Sequence, residues 1–250
     1  MNGELDNYVS CALCAKHFLR TGELIPPDEP YVEAASFAFT TDPPSEVSVM
    51  PWDQAVTAWV TRLRDLRASD VWLFANWAKQ NLDALGFIGG AANRWAVACQ
   101  SPSGATGWAS SWTFNQATNR WTIRYTEITQ PTPLPKAQPD PSEQLHATLT
   151  GLNDLATRIG EDHWAKWFAK ADRTWTDPIV AVTGPRTLPE RYHRLWTTAQ
   201  QAWVFGGMGS WNDDAQGAAQ QAGLSTEYDA LSRRVYEHIV QAALVSVNAW

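Results

Sequence analysis

The 250-residue chain is short of cysteine, short of basic charge and free of long apolar runs. Each shortage excludes something. Three cysteines are an odd and sparse set, which makes no disulfide framework and points to a reducing compartment. The 19 lysines and arginines are scattered and outnumbered by 26 aspartates and glutamates, leaving a net charge of −7. Nucleic-acid binding rests on clustered Lys and Arg that neutralise phosphates, so no nucleic-acid partner is expected. An acidic surface suits a basic protein partner better. No segment approaches the roughly 20 apolar residues of a membrane-spanning helix, so no membrane association is expected either. Glu4 and Asp6 stand where a secretory signal would carry positive charge. The expectation is a soluble, cytoplasmic protein whose oligomeric state the sequence leaves open.

Catalytic signatures are also missing. The chain has no G-x-S-x-G elbow, no H-E-x-x-H, no phosphate-binding loop followed by Lys, and no dinucleotide fingerprint opening a strand–helix–strand unit. No cofactor and no metal are expected, and the reading leans away from an enzyme.

Tryptophan is what the chain has in excess, at 15 residues. An indole buries about 150–250 Å² of surface, so the plain reading is a core built from large aromatics. The alternative is a ligand platform or an aromatic binding face. Most of these tryptophans fall on apolar positions of a local pattern, which favours the core.

The clearest boundary is QPTPLPKAQPDP, Gln130–Pro141, whose prolines remove backbone donors and favour extended geometry. It divides a mixed part, 1–129, from a helical part, 142–250. In the first part a helix is expected over Leu5–Arg20. Short strands follow at Ala34–Phe39 and Val47–Met50, then a helix after Pro51 carrying Val56, Trp59, Val60 and Leu63 at helical spacing. A further helix is expected over Val71–Leu85, with Trp72, Phe74 and Trp77, stopped by Gly86. From Asn93 the period changes to two. Trp95, Val97 and Cys99, then Trp108, Ser110, Trp112 and Phe114, then Trp121, Ile123 and Tyr125 form three alternating segments joined by turn-rich loops. They read as an antiparallel meander.

In the second part Asp140 is a good N-cap and Glu143 completes a capping box. Leu145, Leu149, Leu152, Leu155 and Ile159 then form an amphipathic stripe that Gly160 ends. Trp164, Trp167, Phe168 and Ala171 mark a second helix, and Pro189–Phe205 a third with Tyr192, Leu195, Trp196, Ala199 and Trp203 inward. A last helix begins near Ser225 and carries Tyr228, Leu231, Val235, Ile239 and Ala242. The fold class is therefore α+β: helices and an antiparallel meander packed on a C-terminal helical bundle.

Three clusters carry candidate chemistry. The segment Phe205–Asp214, FGGMGSWNDD, is the most distinctive. Gly206 would end a helix in a left-handed turn, and Ser210 would cap the next one. A phosphate site is disfavoured, because no Lys follows the glycines and Asp213 and Asp214 already put negative charge there. A tight helix–helix corner is one reading. A binding loop made of Met208, Ser210, Trp211, Asn212 and Asp213, with Met208 and Trp211 presented, is the other. Cys11, Cys14 and His17 form C-x-x-C-x-x-H on the first helix, but a zinc site wants about four ligands and no fourth is in sight. Glu161, Asp162, His163, Glu190 and His193 would make an acid–base pair only if their helices bring them together. Trp108, Trp112 and Trp121 would stack a sugar or other small ligand only if their rings were exposed and coplanar.

FGGMGSWND, set between an aromatic helix and another helix, resembles the shared mark of a group of bacterial helical proteins: Phe-Gly-Gly-Met-Gly-Ser, an apolar residue, then Asn-Asp. The likeness covers about the last 110 residues and includes GEDHWAKWF at Gly160–Phe168. Members of that group look like accessory proteins of bacterial conflict systems, such as immunity partners of toxins. The resemblance implies a protein partner and no catalytic residue. The N-terminal half resembles no family.

Overall fold

The computed structural model describes residues 3–39, 48–76, 94–128, 138–177, 188–206 and 208–249. These residues form an α+β fold with α1 (Gly3–Thr21), β1 (Val32–Ala38), β2 (Met50–Pro51), α2 (Trp52–Asp65), β3 (Asp70–Asn76), β4 (Arg94–Ser101), β5 (Gly104–Asn115) and β6 (Arg120–Ile128). Then follow α3 (Ser142–Arg158), α4 (Asp162–Thr176), α5 (Glu190–Ala202), α6 (Trp211–Gln221) and α7 (Ser225–Asn248). The described residues divide into a sheet unit, drawn from 7–76 and 94–128, and a helical unit, drawn from 3–6 and 138–249.

The sheet runs β2-β1-β6-β5-β4-β3. The alternating segments after Asn93 are the antiparallel ladder β4-β5-β6, with Phe114 opposite Trp121, Trp112 opposite Ile123 and Ser110 opposite Tyr125. The sheet is nevertheless mixed, because β1 joins β6 in parallel, Phe37 beside Tyr125. Pairing between residues 88 positions apart, as Phe37 and Tyr125 are, leaves no local trace in the sequence.

Helices α1 and α2 cover one face of this sheet. Trp59 of α2 stacks on Phe37 at 4.8 Å and meets Trp108 edge-on, and Phe37 stacks in turn on Tyr125 at 4.3 Å. Tyr8 of α1 stands edge-on to Tyr125, and its hydroxyl accepts the Ser110 N–H at 2.5 Å. Residues 11–16 of α1 are buried without a break, an arrangement available only to a helix enclosed on all sides.

The helix expected over Val71–Leu85 is corrected in its first part. Residues 70–76 are strand β3, paired antiparallel to β4 from Asp70 opposite Gln100 to Asn76 opposite Arg94. Val71, Trp72 and Leu73 are all buried. A short apolar run buried on both faces has the same composition as a buried helix turn, so periodicity alone does not separate them. The rest of that reading, including Trp77 and Gly86, lies outside the described residues, as does most of the proline-rich segment from Gln130.

In the helical unit Pro141, not the expected Asp140, is the N-cap of α3, and Asp140 Oδ1 accepts the Ser142 N–H at 2.9 Å just ahead of the helix. Asp140 also pairs with Arg191. Helix α3 packs on α4 and α7, α4 on α5, and α5 and α6 on α7. The second half of α7 is buried without a break from Ala242 to Val247. Helix α5 stops at Ala202, short of Phe205, because Trp203 turns extended (ψ 116°) and its Nε1 donates to the Phe205 carbonyl at 2.7 Å.

Among the described residues no helix is long and apolar enough to cross a membrane.

Candidate functional site

The corner between α5 and α6 is held by its own side chains. The Asn212 amide clamps one residue from both sides: Oδ1 accepts the Gly206 N–H at 3.0 Å, and Nδ2 donates to the Gly206 carbonyl at 3.1 Å. The Ser210 hydroxyl donates to the same Oδ1 at 2.8 Å, so it braces the corner and does not cap the helix. Asp213 Oδ2 accepts the Gly209 N–H at 2.8 Å. Gly209 takes φ +77°, where a side chain would be strained. Gly206 is absent from the left-handed region, so the expected left-handed helix stop is corrected: the turn is made three residues later. Gly207 lies outside the described residues.

Trp211 is the peg of this corner, and its expected presentation to a partner is corrected. The indole is fully buried. It meets Phe168 edge-on at 5.1 Å and Trp164 at 6.1 Å, and lies against Tyr228 at 5.3 Å. Its Nε1 donates to Ser232 Oγ at 2.8 Å, and its backbone N–H reaches the Val204 carbonyl. Of the five expected contact residues, then, Trp211 is core, Ser210 and Asn212 are half-buried braces, and Asp213 is exposed but engaged. Met208 alone projects, at 98% exposure. The corner is a preorganised loop that presents a thioether beside the exposed Asp213 and Asp214.

The other clusters do not converge. Trp167 Nε1 donates to the Gln201 carbonyl, while Arg194 donates to the Thr174 and Asp177 carbonyls, both at 3.0 Å. Helices α4 and α5 are therefore antiparallel. His163 stands at the start of α4, against Trp164 of its own helix, and His193 lies beside the other end. The intervening dozen residues span about 18 Å at 1.5 Å each. No acid–base pair forms between them. Trp108 is fully buried, with Nε1 donating to the Ala38 carbonyl at 3.1 Å. Trp112 and Trp121 are half-buried and stand 71° apart, so they share no plane on which a sugar could lie.

On α1, Cys11 approaches the Tyr125 hydroxyl at 3.8 Å, Cys14 is buried, and His17 reaches Glu23 at 3.4 Å. Burial pushes the Cys11 thiol well above its usual range and the Cys14 thiol up to about 12. Both are protonated structural groups. No cluster of three or more metal-ligating side chains occurs among the described residues.

Two polar groupings escaped the sequence reading. Lys16 is buried on α1 and pairs with Asp70 of β3 at 3.1 Å. Tyr125 donates to Asn7 Oδ1 inside the same interface. The only available signal was a lysine and an asparagine set in an otherwise apolar stretch of α1. In the helical unit His146 Nδ1 meets Asp172 Oδ1 at 2.5 Å across α3 and α4, and no sequence spacing announces it.

No family model matches the chain, and no curated protein or solved structure matches it either.

Proposed function

We propose that this chain is a non-catalytic protein-binding protein that meets its partner through the 205–214 corner, with Met208 as the apolar tip of the contact. The observation that carries this reading is the contrast inside the corner. Asn212, Ser210 and Asp213 are tied into the loop by their side chains, while Met208 stands at 98% exposure. A loop already fixed in shape loses little conformational entropy on binding. A flexible, polarisable thioether also adapts to irregular pockets. The acidic residues beside it and the net charge of −7 favour a partner with a basic rim. Together with the resemblance carried by FGGMGSWND, this supports an immunity-type inhibitor of a toxin, working in the cytoplasm of a bacterium.

The test is a pulldown with the full chain from native lysate, the captured protein identified by mass spectrometry and its complex checked by size exclusion. Met208→Asp should weaken that complex by about tenfold or more, equivalent to about 1.4 kcal/mol, with an unchanged circular dichroism spectrum. An affinity unaltered by Met208→Asp removes the corner from the interface.

A further inference from the structure

We propose that Met208 is a modification site, oxidised to the sulfoxide by peroxide-class two-electron oxidants, and that this oxidation releases the partner bound at the corner. The second half rests on the protein-binding reading above; the first half stands without it.

The sulfur side chains of the chain differ sharply in access. Cys11, Cys14 and Cys99 are all buried. Their thiols are held protonated by burial, Cys14 and Cys99 up to about 12, and the thiolate is the form that attacks peroxide. Met50 is half-buried and lines a small apolar cavity with Phe37, Phe39 and Trp59. Met1 lies outside the described residues. Met208 stands at 98% exposure, with its sulfur open to any oxidant in solution.

The step balances with peroxide alone. A thioether lone pair attacks one peroxide oxygen, the O–O bond breaks, and an S–O bond forms. The sulfur loses two electrons, and the departing hydroxide takes the remaining proton to leave as water. Sulfoxide formation turns a flexible apolar side chain into a polar, chiral one, and sulfoxide reductases reverse it. At most buried methionines that change would disrupt packing. Here it would not, because the corner is held by Asn212, Ser210, Asp213 and Trp211, none of which bonds to Met208. Oxidation therefore alters the contact group and leaves its scaffold standing.

The experiment exposes the purified full chain to hydrogen peroxide at neutral pH, quenches with free methionine, and maps added oxygen by peptide mass spectrometry over time. Met208 should oxidise at least about tenfold faster than Met50, with the three cysteines unmodified. Faster oxidation of Met50 or of any cysteine overturns the site. Binding is then measured with the captured partner for four samples: untreated chain, oxidised chain, Met208→Gln as a sulfoxide mimic and Met208→Leu as an oxidation-resistant control. Oxidised chain and Met208→Gln should both bind about tenfold more weakly than untreated chain, while Met208→Leu keeps after peroxide whatever affinity it had before. Selective oxidation at Met208 with unchanged binding of both Met208→Gln and oxidised chain overturns the contact reading and the release, and keeps the modification site. Loss of binding on peroxide treatment in Met208→Leu as well overturns the release alone.

Discussion

The helical unit and the sheet unit are both built on tryptophan, and they differ in what they do with the indole N–H. In the helical unit Trp167, Trp203 and Trp211 donate to the Gln201 carbonyl, the Phe205 carbonyl and Ser232 Oγ. Trp196 Nε1 lies near the Asp6 carboxylate without closing a hydrogen bond. In the sheet unit Trp52 and Trp108 find the Pro27 and Ala38 carbonyls, whereas Trp59, Trp72 and Trp95 bury Nε1 with no acceptor. The carbonyls that accept share one property: Pro27 and Phe205 are in loops, Ala38 ends β1, and Gln201 lies in the last turn of α5. Carbonyls within ladders and helices are already engaged, so Trp59 and Trp72, set inside α2 and β3, find none. A core assembled around helix ends and hydroxyls therefore satisfies Trp167, Trp203 and Trp211 and leaves Trp196 as its exception. The sheet unit leaves three buried indole donors orphaned, each costing about 1–3 kcal/mol.

The strongest way to sharpen this contrast is to remove the satisfied peg. Trp211→Ala deletes an indole packed against Phe168, Trp164 and Tyr228 and strands Ser232 Oγ, which is itself buried. The expected loss is about 3–5 kcal/mol. It is to be read from the urea midpoint by circular dichroism, with Met208→Ala as a control that should cost nothing measurable. A loss below about 1 kcal/mol for Trp211→Ala would show that the corner does not depend on its indole.

The sheet unit's own anchor is ionic, and it makes the second prediction. Lys16 is buried, and burial lowers its pKa from 10.5 while Asp70 pulls it back up. Asp70→Asn removes the counter-charge and should destabilise by about 2 kcal/mol, less than for a fully enclosed pair because Asp70 is 43% exposed. Lys16→Met replaces the charge by a side chain of similar volume and should be close to neutral. The pH dependence has a definite sign. The unfolded chain keeps the Lys16 proton up to about 10.4, and the folded chain releases it earlier. Stability from this group therefore rises as pH climbs from the lowered folded pKa towards 10.4 and is flat below that window. Lys16→Met should abolish the rise; persistence of the rise would assign it to other groups.

How much of this was legible in the chain depended on the range of the cause. The ladder β4-β5-β6 was readable because alternation is written residue by residue in Trp108, Ser110, Trp112 and Phe114. Helix α3 was readable because Asp140 and the leucine stripe are local. The strand at 71–76 was misread because Val71, Trp72 and Leu73 are buried on both faces, which removes the alternation. Trp211 was misread for a different reason. A tryptophan after a Gly-rich turn looks presented, and the partners that bury it, Trp164, Phe168 and Tyr228, stand on α4 and α7. The Met208 exposure follows from the same packing. Once Trp211 is pulled inward and Asn212 closes on Gly206, the residue between the glycines has nowhere to go but out.

The smallest expected effect tests the comparison most directly. Trp211→Phe and Trp59→Phe make the same chemical change at two buried sites, 0% and 1% exposed. Each keeps a ring and gives up similar apolar area. At position 211 the change also breaks a hydrogen bond and leaves the Ser232 hydroxyl without its donor. That adds about 1–1.5 kcal/mol to the packing loss, softened to the extent that the hydroxyl turns to a carbonyl of its own helix. At position 59 no hydrogen bond exists to break. Removing an orphaned donor returns part of its burial cost, so the net change should fall within about 1 kcal/mol of zero. Paired urea titrations of the two variants, referenced to wild type, should therefore show Trp211→Phe as the more damaging by about 1–2 kcal/mol. Equal losses at the two sites would mean that ring packing alone sets the cost. The difference between element ends and element interiors would then carry no energetic weight in this protein.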